Sequence, residues 1–210
     1  MKRIFLIGAG RSATALIDYL LKNAPTDDFE ITVGDMSESL VLEKTKGHPN
    51  ARPIVFNVSD EVQTAAEIKR ADLVVSLLPA HLHLAVAKTC VELGKSLVTA
   101  SYITPEMKAL HNEAVSRNIL LLNECGLDPG IDHMSAMQII REINASGGVL
   151  EAFYSYTGGL VAPESNDNPW GYKFSWNPRN VILAGQGTAQ LIENGVVKYI
   201  PRSEEHTSEL

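Results

Sequence analysis

The sequence predicts an α/β chain, a doubly wound parallel sheet followed by the start of an α+β unit. Three observations predict it. Lys2-Arg3-Ile4-Phe5-Leu6-Ile7 is an apolar run of strand length that passes without a spacer into Gly8-Ala9-Gly10-Arg11-Ser12-Ala13. Short apolar runs then alternate with stretches of helical periodicity as far as Leu122, the pattern of strands joined by crossover helices. After Asp132 the alternation stops and gives way to one helical stripe and a loop dense in Gly, Pro, Asn and Trp.

The first strand and its turn come first. Gly8 permits a tight turn, Gly10 lets the backbone approach a pyrophosphate, and small Ala13 lets the next helix sit close to its strand. Leu16, Ile17, Leu20 and Leu21 recur at helical spacing, so the free amides of that helix start face the turn. A negative group there gains about 0.3–1 kcal/mol from the helix dipole before hydrogen bonds are counted. The second strand, Glu30 to Gly34, ends at Asp35. A carboxylate in that place accepts hydrogen bonds from both hydroxyls of an adenosine ribose and repels a 2′-phosphate, which favours NAD over NADP.

The remaining elements follow in order. Leu40, Val41 and Lys44 lie on a short helix stopped by Gly47, and Pro53 to Phe56 make a third strand. Asp60 caps a helix carrying Val62, Ala65, Ala66 and Ile68;. Leu73 to Leu78 is an unbroken apolar run, as expected of a central strand covered on both faces;. A helix from Leu82 to Leu93 stops at Gly94, and Ser96 to Thr99 form a fifth strand;. Thr104-Pro105-Glu106 opens another helix, and Ile119 to Leu122 give a sixth strand;. Met134, Met137, Ile140 and Ile143 then form a helical stripe broken by Gly147-Gly148, and Leu150 to Tyr156 read as a strand rich in aromatics. These signals divide the chain into a dinucleotide-binding Rossmann domain over 1–129, a partial substrate domain over 130–201 and a tail over 202–210.

That tail, Arg202 to Leu210, resembles a translated sequencing adapter, which implies a natural chain continuing beyond Pro201;. With 210 residues, 45% of them hydrophobic, the chain has ample material for a core;. A net charge of −7 without a basic stripe argues against a nucleic-acid partner;. No apolar run approaches a membrane span and the amino terminus enters a strand directly, so a cytoplasmic location is expected. Cys90 and Cys125 are far apart and form no CxxC, which fits reduced thiols;.

In an open parallel sheet, ligands bind beyond the carboxyl ends of the strands. The candidates are therefore Asn57 and Val58, Leu78 and Pro79, Ser101 and Tyr102, and Asn123 through Asp132. Asp128 and Asp132 fall near the nicotinamide end of such a cleft, where a carboxylate binds a substrate ammonium or takes its proton. The competing reading makes Asp128 a turn residue before Pro129 and Asp132 a helix cap. Ser101 and Tyr102 offer two hydroxyls at the same edge. Thr157, Tyr172, Lys173, Phe174 and Trp176 lie in a loop dense in specialised residues;. His81, His83 and His133 do not have the spacing of helical metal ligands, so no metal is expected. Cys90 reads as core, and no base is obvious beside Cys125.

Four stretches resemble saccharopine dehydrogenases of the glutamate-forming group: IGAGRSA, VTASYIT, NECGLDPGIDHMSAM and TGGLVAPESNDNPWGYKFSWNPRNVILAGQG. The resemblance implies a Rossmann domain followed by a substrate domain, and oxidation of saccharopine to glutamate and 2-aminoadipate 6-semialdehyde in lysine metabolism. It places Ser101, Tyr102 and Asp128 at the saccharopine site, with Tyr102 and Asp128 orienting substrate and assisting proton transfer. It places Gly8, Gly10, Arg11, Ser12, Ala13, Asp35, Asn57, Val58 and Leu78 at the cofactor. Relatives in the group often use NADP, against which Asp35 stands, and Thr157 replaces a Cys. An arginine for a substrate carboxylate falls beyond Pro201, leaving Arg179 as a partial substitute or a surface residue. Two alternatives remain open: an oxidoreductase acting on another carboxylated secondary amine such as carboxynorspermidine, and a non-catalytic NAD-binding fragment. The expected partner is a small-molecule substrate, with no nucleic acid and no membrane; a homodimer is admitted but not required.

Overall fold

The computed structural model describes residues 1–155, 161–174 and 188–201. Six parallel strands form the main sheet: β1 (Lys2–Ile7), β2 (Phe29–Asp35), β3 (Ala51–Val55), β4 (Leu73–Ser76), β5 (Ser96–Thr99) and β6 (Leu121–Leu122). Their order is β3-β2-β1-β4-β5-β6, so the direction of winding reverses between β1 and β4, where a crevice opens at the carboxyl edge.

The helices are α1 (Thr14–Asp27), α2 (Glu38–Thr45), α3 (Glu61–Arg70), α4 (His83–Leu93), α5 (Pro105–Ala109), α6 (His111–Ser116) and α7 (Ile131–Ala145). Short 3-10 turns, Arg11–Ala13 and Ala80–Leu82, lead into α1 and α4. Asp60 and Thr104 cap α3 and α5 as the sequence implies, accepting from the amides of Gln63 at 2.9 Å and Met107 at 3.2 Å. The helix α2 ends at Thr45, two residues before Gly47. Lys46 itself turns left-handed, with φ 49°, and its amide bonds back to Leu42.

Alternate residues of the central strands β1 and β4 enter opposite cores, as the pleat requires;. Phe5 and Ile7 join Phe56, Ile68, Val86, Cys90, Leu97 and Met107 on one face. Leu6 joins Ile17, Leu21, Ile31, Val33 and Val41 on the other. Gly34 makes room for an edge-to-face pair between Phe5 and Phe56, because a Cβ there would lie 2.9 Å from Phe56.

Two expectations change. The sixth strand is only Leu121–Leu122, since it pairs with β5 alone at the sheet edge. Leu150 to Ser155 is not a strand; among the described residues nothing pairs with it, and an unpaired extended segment has no ladder to hold it;. Contacts divide the chain after Ala152, which groups α7 with the large sheet. In the second unit, β7 (Thr188–Glu193) and β8 (Val196–Pro201) pair antiparallel. The turn between them is Asn194-Gly195, both at positive φ, the geometry a two-residue hairpin favours;. Among the described residues no helix is long and apolar enough to cross a membrane.

Candidate dinucleotide and amino-acid site

The expected site residues follow successive strands at one edge of the sheet. Gly8 leaves β1 at φ 104° and its amide donates to the Gly34 carbonyl at 2.8 Å. A Cβ on Gly8 would sit 3.0 Å from the Leu77 carbonyl oxygen, so the turn is pressed against the end of β4 at the reversal point. A Cβ on Gly10, by contrast, would meet no protein atom within 4 Å. Open space over Gly10 beside the start of α1 is what a pyrophosphate needs. Ala13 is fully buried between helix and sheet, while Arg11 and Ser12 are exposed at the rim.

Asp35 has a role that its place in the sequence did not reveal. Its Oδ2 accepts from the Ala9 amide at 2.8 Å and its Oδ1 from the Ser37 amide at 2.9 Å. The carboxylate therefore ties the glycine turn to the end of β2, and only its remaining lone pairs are left for another donor;. After β3, Asn57 is exposed and its Oδ1 accepts from Ser59 at 3.0 Å. Val58 and Leu78 are half-buried against the core. These residues fit a dinucleotide laid across β3, β2, β1 and β4.

The other half of the edge holds a partly open cavity with several polar groups in its lining. This cavity, of about 170 Å³, is lined by His83, Ser101, Tyr102, Glu106, Met107 and Asn123, among others. His83, at the start of α4, is 3% exposed. Its Nδ1 lies 2.8 Å from Ser76 Oγ and its Nε2 lies 2.8 Å from Ser101 Oγ. Thr99 Oγ1 flanks the ring, 3.2 Å from Nε2. Burial lowers the imidazole's pKa, and nearby His81 adds to the effect, which favours the neutral ring. Asn123 Oδ1 is buried and has no partner among the described residues.

Beyond β6, the Gly126–Gly130 turn folds back on itself. The Gly126 amide donates to Pro129 O at 2.9 Å, and the Ile131 amide to Gly126 O at 3.0 Å. Gly126 packs on Ala100, where a Cβ would come within 3.2 Å of the Ala100 Cβ. That packing sets Asp128 beside β5, and Tyr102 Oη donates to Asp128 Oδ1 at 2.5 Å. Asp132 accepts from the Gly130 amide at 3.0 Å and contacts His133 Nδ1 at 2.7 Å. Ligand atoms of Asp128, Asp132 and His133 lie within 4.8 Å of one another. In this structure Asp128 Oδ1 serves Tyr102 and Asp132 Oδ1 serves the Gly130 turn.

The sequence missed His83, Thr99 and Glu106 as parts of this edge, whereas Asn123 was among its candidates. It did bring Ser101, Tyr102 and Asp128 to one place. In the second unit Lys173 pairs with Asp167 at 2.9 Å, and Tyr172 meets Phe174 edge-on at 5.5 Å between ring centres. Thr157, Trp176, Arg179 and the tail 202–210 lie outside the described residues.

An open sheet in this strand order, with its glycine turn at the reversal point and an acid closing the second strand, defines a Rossmann-type dinucleotide-binding protein. Residues 4–122 match the family model described as "Saccharopine dehydrogenase NADP binding domain", and residues 126–209 match "Saccharopine dehydrogenase C-terminal domain". The chain belongs to the saccharopine dehydrogenase family. It is 38% identical over 195 residues to the saccharopine dehydrogenase [NADP(+), L-glutamate-forming] of Schizosaccharomyces pombe, covering 93% of this chain and 43% of that protein. It is 39% identical over 197 residues to the mitochondrial alpha-aminoadipic semialdehyde synthase of Bos taurus, covering 93% of this chain and 21% of that one. The solved apo saccharopine dehydrogenase (L-Glu forming) from Saccharomyces cerevisiae superposes with a TM-score of 0.84 at 37% identity, over 97% of this chain and 45% of that chain. The chain thus spans less than half the length of these yeast relatives.

Proposed function

We propose that this chain carries the cofactor-binding and part of the substrate-binding machinery of an oxidoreductase that oxidises saccharopine at a carbon bonded to its secondary amine. The observation that carries the reading is the single edge on which a dinucleotide turn adjoins the Ser101, Tyr102 and Asp128 cluster, in a chain of this family. A bound nicotinamide would accept the hydride. The resulting imine adds water and splits into glutamate, which keeps the nitrogen, and 2-aminoadipate 6-semialdehyde.

The side chains supply binding and proton handling. Asp128, held by Tyr102, is placed to attract the substrate's cationic amine and to take its proton. Asp35 ends β2 and Glu38 opens α2 three residues later, and no Lys or Arg occurs between Gly34 and Val41. A 2′-phosphate would meet negative charge with no counterion from this segment, which supports NAD, although the matching family model and the fungal relatives are named for NADP.

The test is to mix the protein with saccharopine and NAD or NADP in parallel, following reduced cofactor and identifying the amino acid released. Reduction with NAD and release of glutamate support the reading. Release of lysine would overturn the glutamate-forming assignment, and faster reduction with NADP would overturn the cofactor choice.

A further inference from the structure

Ser76, His83 and Ser101 form a hydrogen-bonded line running from inside the sheet to the cavity wall. Ser76 Oγ is fully buried, and His83 Nδ1 is its partner among the described residues, at 2.8 Å. A hydroxyl has one hydrogen to place. If Nδ1 carried the ring proton, it would donate to Ser76, and the Ser76 hydrogen would be left buried without an acceptor, which is costly. The opposite arrangement satisfies the two shortest contacts of the ring, both 2.8 Å, and leaves the longer contacts of Thr99 Oγ1, 3.4 Å from Nδ1 and 3.2 Å from Nε2, to share them. Ser76 donates to a bare Nδ1, and Nε2–H donates to Ser101 Oγ at 2.8 Å. Thr99 Oγ1 sits 3.4 Å from Nδ1 and also accepts the Ser101 amide at 3.4 Å, bracing both ends.

Ser101 Oγ then receives its hydrogen bond from behind, and its own O–H turns to the cavity. We propose that His83 is a positioning residue that holds the Ser101 hydroxyl as a donor toward a carboxylate oxygen of an amino-acid substrate. The inference rests on the proposed substrate role of Ser101. Nothing in the residue types alone gives the hydroxyl a sense; the buried serine behind the ring gives it one.

The tautomer is read directly from long-range nitrogen–proton correlations of the His83 ring in the intact chain. The expected result is a protonated Nε2 and a bare Nδ1; a protonated Nδ1 overturns the proposal. Saccharopine affinity is then measured for the wild type, His83→Leu, His83→Gln, Ser101→Ala and the double variant His83→Leu/Ser101→Ala. His83→Leu is expected to weaken binding about tenfold, the scale of one lost hydrogen bond to a charged group. His83→Gln, whose amide can present an N–H toward Ser101, should recover most of that loss. In the Ser101→Ala background the Leu substitution should cost nothing further. Equal losses in both backgrounds would mean that His83 does not act through Ser101. If the wild type does not bind saccharopine, the substrate reading fails, and the tautomer alone still decides for or against the relay.

Discussion

Asp35 Oδ2 lies 2.8 Å from the amide nitrogen of Ala9, so the end of β2 is tied by a charge-assisted hydrogen bond to the middle of the glycine turn. The same carboxylate shapes the turn and, in the function proposed above, would meet the cofactor ribose. Replacing it should therefore affect folding and ligand choice together. Asp35→Ala is expected to cost about 1.5–3 kcal/mol of stability, the range for hydrogen bonds to charged groups. It should also weaken NAD more than NADP. Denaturant unfolding and paired cofactor titrations check both, and an unchanged NAD to NADP affinity ratio would separate Asp35 from cofactor choice.

Gly130 is a point of backbone necessity. It has φ 152°, and a Cβ there would fall 2.0 Å from the Gly126 carbonyl oxygen. Gly130→Ala should break the Gly126–Gly130 turn, at a cost of at least about 1–3 kcal/mol for the backbone conformation alone. Because the turn sets Asp128 beside Tyr102, saccharopine affinity should fall with it, while Gly147→Ala, at a glycine whose Cβ would meet nothing within 4 Å, should leave that affinity alone. Chemical denaturation and substrate titration of the two variants make the comparison.

His83 should leave a mark on acid stability. Its folded-state pKa is lowered by burial, so the unfolded chain binds the proton more readily. Stability from the neutral ring is complete above the unfolded value of about 6.5 and is lost as pH falls below it. Melting temperatures between pH 8 and pH 5 should drop more steeply for the wild type than for His83→Gln. Parallel curves would mean that the buried ring takes up its proton without penalty.

The two thiols should separate cleanly. Cys90 is fully buried and its thiol is pushed up to about 12, whereas Cys125 is exposed and raised by burial and by Glu124. A thiol reagent should label Cys125 alone in the native protein, slowly at pH 7 and faster as pH rises, and both cysteines in denaturant. Labelling of native Cys90 would contradict the packing of α4.

The sheet was legible because its signals are local. An apolar run, a glycine turn and an acid at the end of the next strand lie within Lys2 to Asp35, and parallel order follows from right-handed crossovers. The carboxyl-edge rule likewise placed Ser101, Tyr102 and Asp128 together. What it could not show were contacts fixed by register between distant segments. Ser76 pairs opposite Thr99 across β4 and β5, and only that pairing brings two polar residues under His83. In sequence His83 offers only a metal-ligand reading, against which its spacing from His81 stands. A polar residue ending each of two adjacent apolar strands was the available signal. Leu150 to Ser155 misled for the converse reason, since its residue types favour a strand but no described segment pairs with it.

The most direct test of the account is calorimetric titration of this chain with NAD and NADP, repeated with Gly10→Val. The account predicts one dinucleotide site, tighter for NAD, that Gly10→Val abolishes by filling the open space over the turn without lowering the melting temperature. Binding of neither dinucleotide to the folded wild type, or undiminished binding to Gly10→Val, would contradict it.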